Sequence, residues 1–526
     1  QLRNLKWMDL SNSRYLKELP NLSTATNLEE LKLRRCSSLV ELPSSIEKLT
    51  SLQILDLQDC SSLVKLPPSI NANNLHQLKL RNCSRLVELP AIENATKLHQ
   101  LKLQNCSSLI ELPLSIGTAN NLWKLNISGC SSLVKLPSSI GDMTNLKEFD
   151  LSNCSNLVEL PSSIGNLQLL YELSMRGCSK LETLPTNINL ISLRILDLTG
   201  CSRLKRFPEI STHIDSLYLI GTAIKEVPLS IMSWSPLAIF QISYFESLKE
   251  FPHALDIITG LWLSKSDIQE VPPWVKRMSR LHGLRLNNCN NLVSLPQLPD
   301  SLDYIYADNC KSLERLDCCF NNSSISLYFP KCFKLNQEAR DLIMHTSTRK
   351  CAMLPSIQVP ACFNHRATSG DSLKIKLKES SLPTTLRFKA CIMLVKVNEG
   401  MSFDPMSVEI VIRDEQNDLK VLCTPNDYII NPLLTEHIYT FELEIEEVTS
   451  TELVFEFTPF LKSNWKIGEC GILQRETRSF CRSSSPDLPP ESSRALSLSL
   501  SHSPFLSLCL MDWLMIRFLL MGFRCF

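Results

Sequence analysis

Eight thiols return on a fixed beat through the first two-fifths of the chain: Cys36, Cys60, Cys83, Cys106, Cys130, Cys154, Cys178 and Cys201, always 23 or 24 residues apart. Such a ladder could bind metal, form disulfides or act as a redox switch. Metal-binding cysteines usually come as close C-x₂₋₄-C pairs, and none of these eight does. Units stacked about 5 Å apart would leave disulfides geometrically open, so the compartment has to decide. No basic, then apolar, then cleavable segment opens these residues, and a reducing compartment would keep the thiols free. The expectation is a set of small buried side chains whose weak S–H donors satisfy carbonyls at strand ends. Elsewhere, Cys362-Phe363-Asn364-His365 has a metal-like local spacing, but no second Cys/His pair lies near enough in sequence to complete a tetrahedral site. With 21 Cys and nine His, a nucleophilic pair could be assembled at will, and it means nothing without geometry. No G-x-x-x-x-G-K-[ST] occurs, so nucleotide binding cannot be assigned. Catalytic residues, cofactors and metals are all read as none.

Each cysteine closes the same phrase. Its cleanest form is Leu28-x-x-Leu31-x-Leu33-x-x-Cys36, then Ser37-Ser38-Leu39-Val40-Glu41-Leu42-Pro43-Ser44-Ser45-Ile46, restarting at Leu52. A 20–29-residue period with this pattern is the leucine-rich-repeat signature. Leu31 and Leu33 alternate, so they point inward from a short strand while Glu30, Lys32 and Arg34 point out. One unit cannot bury its apolar side alone, and stacking makes stability a sum over neighbouring interfaces. The prolines Pro43, Pro67, Pro90, Pro113, Pro137, Pro161 and Pro185 remove a donor and fix φ, which predicts 3₁₀ turns or loop on the outer side. The beat continues with Ser13, Thr222, Phe245 and Ser266 at the cysteine position and is restored at Cys289 and Cys310. About thirteen coils between Leu2 and Leu316 would form an arc on the order of 60 Å long.

Past Leu316 the period vanishes. A short amphipathic helix is predicted around Asn336 to His345. Period-2 runs follow at Leu373–Leu377, Phe388–Val397, Val408–Ile412, Tyr439–Ile445 and Leu453–Phe457. They predict an antiparallel β-sandwich. The fold class is therefore an α/β leucine-rich-repeat solenoid over 1–316, with short parallel strands and an irregular or 3₁₀ outer side, followed by an antiparallel β-sandwich over 317–475. Residues 476–526 form a low-complexity and apolar tail expected to lie outside the fold. Asp512, Arg517 and Arg524 interrupt its apolar stretch, and each would cost about 2.5–3.5 kcal/mol at a bilayer centre, which weighs against a membrane span. The opening residues Leu5 to Leu10 already read as a repeat strand, so the chain is expected to start within a longer protein or array. Lys+Arg and Asp+Glu balance at 54 each, against a nucleic-acid or acidic-membrane partner.

A solenoid of this kind presents its outward strand positions on a concave face. Early coils offer Glu29, Lys32, Arg34, Arg35, His76, Lys79, Arg81, His99 and Lys102, a mainly basic patch; later coils offer Trp123, Tyr171, Tyr218, Trp262, Tyr304 and Tyr306. Exposed aromatics beside charges have the composition of protein-binding hot spots. Arg34, Arg35, Lys79, Arg81 and these six aromatics are the candidate partner-binding residues. The alternative for the basic patch is an ordinary solvated surface or an intramolecular dock.

Three stretches carry a resemblance to a known family: Leu5-Lys6-Trp7-Met8-Asp9-Leu10-Ser11 with Leu16-Lys17-Glu18-Leu19-Pro20, the repeated Cys-Ser-x-Leu-Val-Glu-Leu-Pro-Ser-Ser-Ile, and the region after the repeats. There, Phe329-Pro330-Lys331-Cys332-Phe333 to Arg340, Val359-Pro360-Ala361-Cys362-Phe363-Asn364-His365-Arg366 and Glu469-Cys470-Gly471-Ile472 resemble the C-terminal jelly-roll/Ig-like domain (C-JID) of plant TIR–nucleotide-binding–leucine-rich-repeat receptors. The resemblance covers about residues 1–475, with Ser356 standing where similar domains often carry Gly. It implies the half of an intracellular immune receptor that senses a pathogen effector and restrains the other half. In that family the TIR domain hydrolyses NAD and the nucleotide-binding domain binds ADP or ATP; neither lies within these residues. The implied partners are a pathogen effector, which sandwich loops would help to bind, and an intramolecular nucleotide-binding domain; the reading of the outward strand positions makes Trp123, Tyr171, Tyr218 and Trp262 the expected effector contacts. Oligomers would form only through the absent domains, and the location would be cytoplasmic or nuclear. A free-standing cytosolic repeat scaffold is the rival reading, weakened by the sandwich. An extracellular ectodomain is a weaker one: sequons such as Asn82-Cys83-Ser84 and Asn105-Cys106-Ser107 fall out of the repeat phrase, and plant ectodomains usually show L-x-G-x-I-P instead of Leu-Val-Glu-Leu-Pro.

Overall fold

A computed structural model describes residues 2–263, 267–322, 325–347, 351–377, 385–396, 407–414, 419–423, 437–446, 451–460 and 465–475. The sequence readings at Ser266, Val397 and 476–526 lie outside these. The chain forms two compact units, residues 1–322 with 334–336, and 323–333 with 337 onward. The first unit runs past Leu316, where the periodicity ends, and takes back 334–336 through Asn336 N–H donating to the Glu314 carbonyl at 2.9 Å. No helix among the described residues is long and apolar enough to cross a membrane.

In the first unit, short strands from Trp7–Asp9 and Glu30–Lys32 through to Tyr304–Tyr306 each pair in parallel with the next. Fourteen such strands occur among the described residues, one more than the repeat phrase suggests. The alternation works as the sequence predicts: Leu28, Leu31, Leu33, Leu39, Ile46 and Leu49 are fully buried, while Arg34 is exposed. On the outer side, Pro43, Pro113, Pro137 and Pro161 hold φ near −67° and ψ near 150° and lead into 3₁₀ turns at Ser44–Lys48, Leu114–Thr118, Ser138–Asp142 and Ser162–Asn166. Where Pro67-Pro68 and Pro90 crowd the segment, the turn gives way to a parallel bridge between Ser69 and Ala91.

The thiol ladder is internal. Each cysteine sulfur donates to a carbonyl one coil back: Cys60 to Leu33 at 3.0 Å, Cys83 to Leu57 at 3.1 Å, Cys106 to Leu80 at 3.1 Å, Cys201 to Met175 at 3.2 Å. All are free and buried. Burial pushes the Cys60 and Cys201 thiols up to about 12, so neither is a nucleophile at neutral pH. Thr222 breaks this pattern because its hydroxyl bonds the Leu219 carbonyl of its own coil at 2.9 Å, and Phe245 packs instead on Phe251. At the same place the register slips. Tyr218 pairs with Gln241, but Gln241 then pairs with Gly260 and Ser243 with Trp262. Trp262 therefore sits two residues further along the ladder than its repeat position predicts, on the same face because the strand period is 2.

The second unit is a sandwich. One sheet runs in the order Ser326–Tyr328, Ala352–Pro355, His437–Glu446, Thr385–Lys396, Trp465–Arg475, His365–Ala367; only the first pair is parallel. The other runs Ser372–Lys376, Glu452–Phe460, Ser407–Asp414, Leu419–Cys423, all antiparallel. Phe388, Ile392 and Phe441 of the first share a core with Ile410, Phe455 and Phe457 of the second, and the Phe388 and Phe455 rings meet edge-on at 5.2 Å. The helix Gln337–His345 buries Ala339, Ile343 and Met344. Its terminal carbonyls receive Lys389, which donates to Ile343 O at 3.4 Å and Thr346 O at 2.7 Å, and Arg475, which donates to Met344 O at 3.3 Å and His345 O at 3.2 Å. The Glu442 carboxylate lies 3.8 Å from Lys389 and 3.2 Å from Arg475. Two of the quoted motifs meet here: Val359 N–H donates to Glu469 at 2.8 Å, and a Cβ on Gly471 would lie 2.7 Å from Val359 and 3.0 Å from Phe363. Glycine at 471 is what lets the Val359–Phe363 segment lie against the closing strand.

Candidate protein-binding face

The strand face is built by repetition. Just before each cysteine the chain must turn off the strand, and it does so through a residue at positive φ: Asn12, Arg35, Asp59, Asn82, Asn105, Gly129, Asn153, Gly177, Gly200 and Gly221. Asn and Gly adopt this region at little cost. The polar members stack, with Asn105 donating to Asn82 at 2.8 Å and Asn82 to Asp59 at 2.6 Å.

The early basic patch is partly neutralised. Arg34 and Arg35 both place Nε 3.7 Å from the same Asp59 oxygen, Lys32 pairs with Glu30 at 2.6 Å and Lys6 with Glu29 at 3.2 Å. Lys79 and Lys102 register side by side, with Arg81 exposed nearby. The His76 and His99 rings lie 5.7 Å apart.

In the middle coils Trp123 and Tyr171 are 50% and 49% exposed. They occupy the same position two coils apart, with Lys147 between them, since Lys147 N–H donates to Trp123 O and Tyr171 N–H to Lys147 O, both at 2.8 Å. Beside this column lies an acidic strip that the sequence reading missed. Glu148 and Glu172 are direct register partners, as are Ser174 and Asp197 in the next column. Lys124 pairs with Glu148, Asn126 donates to Asp150 at 2.7 Å, and Arg176 donates to Asp197 through Nε at 3.1 Å and an Nη at 3.0 Å. Partial burial, and then the neighbouring Glu148, raises the Glu172 carboxyl above its usual range. The signal was present in the outward strand positions, but only the register shows the like charges adjacent.

In the late coils Trp262 departs from the exposed aromatic face expected of it. It is 5% exposed, covered by Arg285, itself 6% exposed. The Arg285 guanidinium carbon lies 4.6 Å from the Trp262 ring centre, 5.4 Å from Tyr306 and 5.6 Å from Tyr304. Gly283 makes this possible, because a Cβ there would fall 2.3 Å from the Tyr304 ring. Tyr304, Tyr306 and Tyr218 remain half-buried. The ten candidate residues thus fall into three groups along one face: Arg34, Arg35, Lys79 and Arg81; Trp123 and Tyr171; and a late aromatic cluster holding a buried arginine that the sequence reading did not single out. Tyr218 stands between the last two. Among the described residues no group of three His, Cys, Asp or Glu side chains is placed to hold a metal ion.

The first unit is thus a repeat solenoid with such a strand face, and the second a sandwich. Residues 145–167 match the Leucine Rich Repeat family and residues 354–444 the C-JID domain. The chain is 78% identical over 501 residues to the probable disease resistance protein RPP1 of Arabidopsis thaliana, covering 94% of this chain and 40% of that protein. It is 51% identical over 169 residues to the disease resistance protein TAO1 (32% and 14% covered), and 37% identical over 244 residues to the disease resistance-like protein DSC2 (38% and 19% covered), both from the same plant. The chain therefore spans 40% or less of the length of these relatives. The chain thus carries leucine-rich-repeat and C-JID matches and is similar to part of these plant disease resistance proteins.

Proposed function

We propose that this chain senses a pathogen effector protein and, within a full-length receptor, restrains the nucleotide-binding part until the effector binds. The observation that carries this reading is the pair Trp123 and Tyr171, two half-exposed aromatic rings at one repeat position, with Lys147 between them and Glu148 and Glu172 in the column beside them. Rigid amphipathic rings set among charges give large contact area at low entropic cost. Tyr218, Tyr304 and Tyr306 extend the contact toward the late coils, with Trp262 acting from beneath as support. The less neutralised cations Lys79, Arg81 and Lys102 suit the intramolecular dock for the nucleotide-binding domain, with Arg34 and Arg35 at its edge. Such a receptor works inside the cell, in cytoplasm or nucleus, and these residues carry recognition with no catalytic step of their own. The test is affinity for the effector to which the full-length receptor responds. W123A/Y171A should weaken it at least tenfold with the unfolding midpoint unchanged; equal affinity would remove this face from recognition.

A further inference from the structure

The repeat places a second exposed column away from the strand face. Four residues after each early cysteine stand Val40, Val64, Val87, Ile110, Val134 and Val158. Each donates its N–H to the carbonyl of the one before: Val64 to Val40 at 2.8 Å, Ile110 to Val87 at 3.1 Å, Val134 to Ile110 at 3.2 Å. Their side chains form one β-branched column, or ridge, with Val40, Ile110, Val134 and Val158 exposed by 48%, 47%, 45% and 36% and Val64 and Val87 partly buried. The fold does not require aliphatic residues there. The same column carries exposed Lys17 before the ridge and Glu182 after it, and Lys205, Lys225 and Lys249 follow buried Leu204, Ile224 and Leu248 in later coils. Single exposed aliphatics need no explanation, but a contiguous run bounded by charges at both ends marks an interaction surface.

The next column is exposed and mostly acidic: Glu41, Glu88, Glu111 and Glu159 against Lys65 and Lys135. Glu88 and Glu111 face each other directly across a parallel bridge, a like-charge pairing that the coil leaves as a local cost. The ridge spans five coil steps, about 24 Å, the length of about 16 residues of α-helix.

We propose that this ridge docks a basic amphipathic helix of another protein, with its apolar stripe along Val40–Val158 and its Lys or Arg residues over Glu41, Glu88, Glu111 and Glu159. It is a second surface, independent of recognition at the strand face, because ridge and strand lie on opposite sides of the turn closed by the cysteine.

The probe is a fluorescently labelled 16-residue peptide with Leu at helical i, i+4 spacing and Lys elsewhere, titrated into the full chain by anisotropy. A Leu/Glu peptide of the same pattern serves as the opposite-charge control. I110D/V134D should weaken the Leu/Lys peptide at least tenfold and E111K/E159K at least threefold, while the Leu/Glu peptide binds wild type at least tenfold more weakly. Circular dichroism checks each fold, and the milder I110S/V134S replaces the aspartates if they unfold the chain. A photo-crosslinker on the peptide should label residues 87–135. Undetectable peptide binding, equal affinity for wild type and the folded ridge variant, or crosslinks confined to the strand face around Glu148 and Glu172 would overturn the proposal.

Discussion

The guanidinium carbon of Arg285 lies 4.6 Å from the ring centre of Trp262, and the two side chains, from adjacent coils, are both almost completely hidden from solvent. Trp262 and Arg285 hold the same repeat position and are direct partners in the ladder, and Tyr304 and Tyr306 close the cluster from the next coil. The late face is thus a fixed plate, a pre-organised surface that loses little entropy on binding.

R285A removes a largely desolvated cation from three rings and should destabilise the late coils by about 2 kcal/mol. R285K should recover only part of this, because an ammonium cannot stack as a plane. Since coils communicate mainly with neighbours, hydrogen exchange should quicken in Gly283–Arg285 and Tyr304–Tyr306 and stay unchanged in Gln77–Lys79.

Arg35 sits at φ 61° in a column otherwise filled by Asn, Gly and one Asp. Its exposed pairing with Asp59 contributes little, whereas the left-handed backbone costs a residue of this kind about 1 kcal/mol. R35G and R35N should therefore raise the urea midpoint of the early coils by an amount equivalent to about 0.5–1 kcal/mol. Equivalent substitutions at neighbouring Arg34, outside that column, should not.

With burial holding Cys60 and Cys201 near 12, a thiol reagent at pH 8 should leave the ladder unlabelled in the native protein. Among the described cysteines, exposed Cys319 and half-buried Cys362 should react first, and the ladder should react on adding denaturant. Mass spectrometry of tryptic peptides reads this directly, and early labelling of Cys83 or Cys106 would contradict the buried assignment.

Burial lowers the folded Lys389 ammonium to about 8 from the ordinary 10.5. Between those values the unfolded chain keeps a proton that the folded chain has released, so this group makes stability rise with pH across about 8 to 10.5. The gain is on the order of 2–3 kcal/mol at most. The groups facing it are Glu442, Arg475, Cys351 and Cys391. The buried thiols, raised from 9 toward 12, lower stability above about pH 9 in both proteins, so chemical denaturation over pH 7–10.5 should show the Lys389 contribution as a wild-type-minus-K389M difference that rises with pH.

The solenoid was legible because one constraint, burial of Leu, Ile and Cys at fixed offsets, repeats in every coil. The sandwich was legible where alternation was strong, as at Val408–Ile412 and Leu453–Phe457. It was not at Ala352–Pro355, His365–Ala367 or Leu419–Cys423, which are short or lack a clean period of 2. Trp262 and Arg285 escaped for a different reason. Repeat alignment already makes them neighbours, but it does not show that the arginine sits over the ring and is buried with it; the slip alters only the partner of Trp262 on the preceding strand, Ser243 in place of Gln241. Glu148 and Glu172 likewise look unremarkable in sequence and become a like-charge pair only when their strands are laid side by side.

The central claim is that an effector is read by the strand face around Trp123 and Tyr171. Hydrogen exchange on the full-length receptor, with and without its effector, tests it most directly. The account predicts strong new protection in peptides spanning 122–126 and 170–174, lost in W123A/Y171A. Protection confined to the outer turns Leu114–Thr118 and Ser162–Asn166, with those strands unchanged, would contradict it.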